Sequence, residues 1–291
     1  MKNNSQKRFI TQTMALFFIF CLLICLVSSG CIPEEHTIVG NVTIIEDFNI
    51  PELGRTRDIW IYVPPDYENS TSKHYPVLYM HDGQNLFDVI TSSAGEWGID
   101  ETLEDFFENG ETEGVIVVGI ENGGTHRTQE YCPWEFQYDN EILGGEGDEY
   151  VDFIVNTLKP HIDENYRTLP NRENTGIVGS SMGGLISLYA GIKYQEIFSK
   201  VCAMSSSFWI GYDNMMSFLA SNPKEDNMLI YLDVGELEGQ DMVDDTNGVY
   251  DKLLEIGFSQ DELMKVLDED GQHNEAFWRE RFPDAFLWLF E

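Results

Sequence analysis

The chain is poor in positive charge. Over 291 residues, 17 Lys and Arg face 51 Asp and Glu, a formal net charge of −34. No basic stripe is available to neutralise phosphates, so nucleic acid and anionic membrane surfaces are poor partners. The acids are spread along the chain and not gathered in a block. They read as a solubility surface for salty surroundings, where self-repulsion is screened, and not as a docking tail. Cysteine is also scarce: Cys21, Cys25, Cys31, Cys132 and Cys202 are too few for a disulfide framework. "KVCAM" around Cys202 reads as a buried strand in which the thiol is a small hydrophobe. Six histidines are present, none in H-E-x-x-H or another paired motif, so neither a catalytic metal nor a cofactor is expected.

Long apolar runs are missing with one exception, "MALFFIFCLLICLV" at 14–27, which is short of the roughly 20 residues a membrane span needs. Lys2, Lys7 and Arg8 precede it and "SSGC" follows, the layout of an export signal. Cleavage before Cys31 would leave that cysteine to be lipidated. Ser28, however, stands where such a pattern usually has Leu, and Ser28 with Gly30 equally suits an ordinary signal peptidase. Residues 1–30 are read as a signal peptide, 31–39 as a short linker behind a possible lipid anchor, and 40–291 as one folded domain. The expected destination is outside the cell, either at the outer face of the membrane or secreted.

Within that domain, β-branched apolar runs recur at 58–65, 76–80, 114–120, 175–179, 200–204, 228–235 and 263–267. Helical spacing separates most of them, as in Val151, Ile154, Val155 and Leu158, or Leu185, Leu188, Tyr189 and Ile192. Strands apolar on both faces and alternating with helices predict an α/β fold, a mostly parallel sheet covered on both sides. Ligands of such sheets gather at the carboxyl ends of the strands.

"GIVGSSMGGL" lies at such an end. Gly179-Ser180-Ser181-Met182-Gly183 fits G-x-S-x-G with Ser181 at its centre, a strand-to-helix elbow that needs tiny residues two before and two after the nucleophile. Centring on Ser180 would put Val178 and Met182 at those crowded places, so Ser181 is the nucleophile candidate. At a helix N-terminus, the Met182 N–H can donate to a developing oxyanion.

"VLYMHDGQNLFD", "GGEGDEYVDFIVNTLKPHIDENYRT", "GIVGSSMGGLISLYAG", "YLDVG" and "GQHNEAFW" together resemble the esterase family of α/β hydrolases. That family includes esterase D, feruloyl and acetylxylan esterases, enterochelin esterases and mycolyltransferases. The resemblance implies an α/β-hydrolase fold and a triad in the order Ser, acid, His. Only His273 lies downstream of Ser181; His36, His74 and His161 read as surface residues, and His81 and His126 as structural ones. By the family's placement the acid falls on Glu238, three residues after Gly235, with Asp241 as competitor in the same acidic loop. The second oxyanion donor falls on the N–H of Gln84, after Gly83 of "HDGQ".

Substrate contacts are expected from the loops over the active edge: Arg127, Tyr131, Trp134 and Trp209, with Phe87 and Trp97 as further wall. The reading is a serine esterase acting on a small-molecule or carbohydrate ester, touching a membrane only through a lipid anchor. The alternatives are an acyltransferase with the same triad, or a non-catalytic binding lipoprotein on a hydrolase scaffold.

Overall fold

The computed structural model describes residues 35–291. Residues 1–30, read from the sequence as a signal peptide, and Cys31 lie outside the described residues. An eight-stranded sheet runs in the order β1, β2, β4, β3, β7, β8, β9, β10. Its strands are β1 (Asn41–Ile50), β2 (Arg55–Val63), β3 (Val77–His81), β4 (Ile116–Ile120), β7 (Thr175–Ser180), β8 (Lys200–Met204), β9 (Leu229–Gly235) and β10 (Leu263–Asp268). From β4 to β10 every pairing is parallel, while β1 with β2 and β2 with β4 are antiparallel. The expected α/β architecture is observed.

Every residue of β3, β4 and β7 is buried, because helices cover both faces and leave no side for polar residues. Tyr79, Ile177, Val201 and Ile230 point to one apolar layer, and Leu78, Val178, Cys202 and Tyr231 to the other, the period-two alternation of a strand. The first layer is closed by α3 (Gly147–Phe153), α4 (Lys159–Asn165), α5 (Met182–Lys193), α6 (Tyr212–Ser221) and α7 (Gln240–Glu255). The second is closed by α1 (Ile99–Asn109) and α8 (Glu275–Phe290). A short helix, α2 (Arg127–Glu130), and a hairpin of β5 (Phe136–Tyr138) and β6 (Glu141–Leu143) lie beside the first layer, against which Phe136 packs. Cys132 and Cys202 are both buried free thiols.

Three features depart from the sequence reading. Strand β1 was not expected, because an edge strand with one wet face carries polar residues at alternate places; it is also bulged between Ile45 and Phe48, where Asp47 takes φ 51°. The helix expected around Val151, Ile154, Val155 and Leu158 is interrupted by a π-helical segment at Ile154–Leu158. Pro160 follows at once, lacking an N–H and crowding the carbonyl four residues back, and the widened turn absorbs both defects. Finally, residues 36–39 are not a free linker. Thr37 Oγ1 donates to Glu96 Oε1 at 2.6 Å, the Val39 N–H to Asp100 Oδ2 at 2.9 Å, and His36 pairs with Asp88. The polar side chains of the 88–100 segment thus tie this stretch to the domain.

Candidate active site

Ser181 occupies the turn between β7 and α5 with φ 57° and ψ −124°, a backbone conformation a non-glycine residue adopts only under constraint. The constraint comes from both sides. The Ser181 N–H donates to the Met204 carbonyl of β8 at 2.9 Å, and the Ser181 carbonyl accepts the Ser207 N–H at 3.0 Å. The glycines are needed because the chain doubles back on itself: a Cβ on Gly179 would lie 2.5 Å from the backbone of Gly183 and 2.8 Å from the His81 ring. No side chain caps α5, so its first N–H groups, Met182 among them, are not taken by a capping residue.

The Ser181 Oγ lies 2.9 Å from His273 Nε2, and His273 Nδ1 lies 2.7 Å from Glu238 Oε2. A carboxylate only accepts, so Nδ1 carries the proton and Nε2 is the basic nitrogen facing the serine. Glu238 follows β9 in a single 3-10 turn, Glu236–Glu238, and its side chain is 1% exposed. Burial pushes this carboxyl up, yet hydrogen bonds from His273, from Ser205 Oγ at 2.6 Å and from the Gly235 N–H at 2.8 Å hold it below its usual value. It stays charged where it meets the histidine. Asp241, its competitor, is exposed in the first turn of α7.

Two clefts meet at Ser181. One, of about 480 Å³, is walled by Phe136, Tyr138 and Leu143 of the β5–β6 hairpin and by Trp209, Ile210 and Met242. The other, of about 300 Å³, is more polar, with Asp82, Asn85, Asn122 and Glu275 beside Trp97 and Trp278. Arg127 borders both clefts. Its guanidinium grips Asp82 through Nε to Oδ1 at 2.7 Å and Nη2 to Oδ2 at 2.9 Å, while Asn122 Nδ2 donates to Oδ1 at 2.7 Å. Asp82 opens the 3-10 turn Gly83–Asn85 with φ 55°. Within that turn Gln84 is buried; its Oε1 accepts the Asn122 N–H at 3.1 Å and its carbonyl accepts Thr91 Oγ1 at 2.8 Å. The residue whose N–H is the expected second oxyanion donor is therefore held through both its side chain and its carbonyl.

Beneath the elbow His81 is fully buried, its Nδ1 2.9 Å from the Tyr150 hydroxyl. Burial pushes its imidazole down to about 3, aided by Arg127 and opposed by Asp82, so the ring is neutral. It serves as packing under Gly179 and Gly183.

Not all the aromatic residues expected as substrate wall belong to it. Tyr131 is wholly buried, and its hydroxyl accepts the Asp82 N–H at 3.1 Å. Trp134 packs edge-on against Tyr189 and Phe218. Phe87 lies in the second apolar layer against Trp60 and Tyr62. Trp209, 51% exposed, and Arg127 do line the larger cleft, and Trp97 lines the smaller. The sequence reading missed the hairpin and Met242. Two strands of three residues carry too little periodicity to be seen, and a methionine on an acidic helix carries no mark of its own.

The sequence profile of the family described as "Putative esterase" matches residues 50–289. The chain belongs to this esterase family. Its chemistry is ester hydrolysis, and the fold is that of an α/β hydrolase. The Bacillus subtilis (strain 168) protein YbbA is 29% identical over 245 residues, 80% of this chain and 92% of its own length. The enterobactin esterase of Shigella flexneri, solved in the presence of enterobactin, superposes with a TM-score of 0.69 at 19% identity, covering 90% of this chain. This chain spans only 61% of that protein. An IroE-like serine hydrolase of Shewanella oneidensis reaches the same TM-score, 0.69, at 22% identity, over 88% of this chain and 80% of its own.

Proposed function

We propose that the protein is an exported serine esterase that cleaves a carboxylic ester through an acyl-enzyme. The observation that carries this reading is the unbroken chain of hydrogen bonds from Ser181 Oγ through His273 to Glu238, anchored on a strained elbow at the junction of two clefts. A binding protein has no physical reason to hold a serine in an unfavourable backbone conformation against a correctly oriented histidine.

In this reading Ser181 Oγ attacks the ester carbonyl while His273 Nε2 takes its proton. Glu238 Oε2 holds the imidazole by Nδ1–H and stabilises the imidazolium that forms. The N–H groups of Met182 and Gln84 receive the negative charge growing on the carbonyl oxygen, each worth about 3–4 kcal/mol in such a site. His273 then gives its proton to the departing alkoxide. Water, deprotonated by His273 in turn, attacks the acyl-Ser181 ester and releases the acid. No step requires a cofactor.

The substrate is a small-molecule or carbohydrate ester whose two halves lie on either side of Ser181, one in the apolar cleft and one in the polar cleft. Export and a lipid on Cys31 rest on residues 2–31 of the sequence alone.

Turnover of p-nitrophenyl acetate by the full-length protein, with covalent labelling of Ser181 by a fluorophosphonate located by peptide mass, tests the reaction. No turnover and no label on Ser181 would overturn it. For the anchor, Cys31→Ser should move the protein out of the membrane fraction or leave the precursor uncleaved. A soluble mature wild-type protein with an unmodified Cys31 would remove the anchor from the proposal.

A further inference from the structure

Behind Glu238 lies a group that the hydrolytic reading does not use. Ser205 follows β8 at the end of "KVCAM", one strand away from the elbow, and is wholly buried with φ 42°. Its N–H donates to Asp233 of β9, to the carbonyl at 3.0 Å and to Oδ1 at 2.9 Å, which keeps the residue in this backbone conformation. Its hydroxyl has three neighbours: Trp278 Nε1 at 2.9 Å, Arg281 Nη2 at 2.9 Å and Glu238 Oε1 at 2.6 Å.

An indole N–H and a guanidinium can only donate. They therefore occupy the two lone pairs of the Ser205 oxygen, and its single proton has one place left to go, Glu238 Oε1. Trp278 and Arg281 sit one turn apart on α8, so the same helix supplies both donors. With the Gly235 N–H also on Oε1, that oxygen is saturated and Oε2 alone remains to accept from His273.

We propose that Ser205, its proton directed by Trp278 and Arg281, is a positioning residue that fixes the rotation of the Glu238 carboxylate and so keeps its remaining oxygen aimed at His273 Nδ1. This rests on the serine-esterase reading above. The Ser205 hydroxyl hydrogen-bonds to neither Ser181 nor His273, and it acts only through Glu238. Losing a hydrogen bond to a charged acceptor at this point costs about 10- to 100-fold in rate.

The test is a double-mutant cycle on the full-length protein with p-nitrophenyl acetate, measuring kcat, KM and thermal midpoint. Ser205→Ala should lower kcat by about 10- to 100-fold with KM within about 2-fold, while in a Glu238→Gln background the same change should cost almost nothing, because the carboxylate it orients is gone. Ser205→Cys keeps a buried group of similar size with a weaker donor and should fall between wild type and Ser205→Ala. It carries the cycle if Ser205→Ala does not fold. If Ser205→Ala leaves kcat unchanged, or costs the same factor in both backgrounds, the role is merely structural and the proposal fails while the triad stands. If Glu238→Gln alone is near wild type, the assignment of the acid falls, and this proposal with it.

Discussion

Arg127 holds Asp82 by two parallel hydrogen bonds while its own side chain borders both clefts at Ser181. The pair joins the loop after β4 to the turn after β3, so a residue expected to meet substrate also braces the peptide expected to hold the oxyanion. Arg127→Ala would leave Asp82, whose side chain is 10% exposed, with Asn122 as its remaining side-chain partner. Breaking a buried pair costs about 3–5 kcal/mol, and the 27% exposure of the Arg127 side chain reduces this to about 1–3 kcal/mol. A fall of about 3–10 °C in thermal midpoint is expected, with kcat/KM down about 10-fold. Scanning calorimetry beside ester hydrolysis checks it, and an unchanged midpoint would mean that the clamp holds nothing.

Ser181→Ala and His273→Ala should each remove on the order of 10⁶ in turnover, and the double variant little more, because nucleophile and base work as a unit. Ser180→Ala should keep most activity, since Ser180 belongs to β7 and makes no hydrogen bond to His273. Initial rates on p-nitrophenyl acetate decide between them. A dead Ser180→Ala with an active Ser181→Ala would move the nucleophile.

Glu238→Gln should cost up to about 10⁴ in kcat with the fold retained, because the amide no longer fixes the histidine tautomer. Asp241→Asn should stay near wild type, as an exposed carboxylate contributes only about 0–1 kcal/mol. Paired kinetics and circular dichroism separate lost chemistry from lost structure.

Gly179→Ala is expected to be a folding defect. Its Cβ would meet the backbone carbon and oxygen of Gly183 at 2.5 Å, and backbone in a packed elbow cannot move aside. The soluble yield should collapse, or the denaturant midpoint should fall by the equivalent of about 3 kcal/mol or more. A soluble, active variant with an unchanged midpoint would contradict the crowding argument.

His81 should make the fold sensitive to acid. Its folded-state value of about 3 lies below the roughly 6.5 of an unfolded chain, so between these limits the unfolded state binds the extra proton. The contribution is complete above about pH 6.5 and is lost as pH falls toward 3, about 3 kcal/mol by pH 4.5. Asp233, pushed up to about 7 by burial against the pull of Arg281, runs the other way, losing stability as pH rises from about 4 to 7. The difference between the wild-type and His81→Asn profiles isolates the histidine. It should show the variant's deficit shrinking as pH drops, and parallel profiles would refute a neutral buried imidazole.

Local crowding is what the sequence states most directly. Gly179, Ser181 and Gly183 are near neighbours in the chain, and a sharp turn among them can be read from residue size alone. Alternating apolar runs likewise disclosed the covered sheet, because burial on both faces leaves no place for polar residues. His273 and Glu238 were legible through the family resemblance, which implies the triad order and places the acid three residues after Gly235. Strand β1 and the β5–β6 hairpin were not, one because half its residues face water and the other because three-residue strands show no period. Which aromatics face substrate was decided by tertiary structure: Tyr131 and Trp134 lie in the same loop as Arg127, yet one supports Asp82 and the other packs on α5. Ser205 was equally invisible among three consecutive serines. Its role arises where β8, β9 and α8 meet, and the direction of a hydroxyl proton depends on donors 73 and 76 residues away, brought to it by strand register and helix packing.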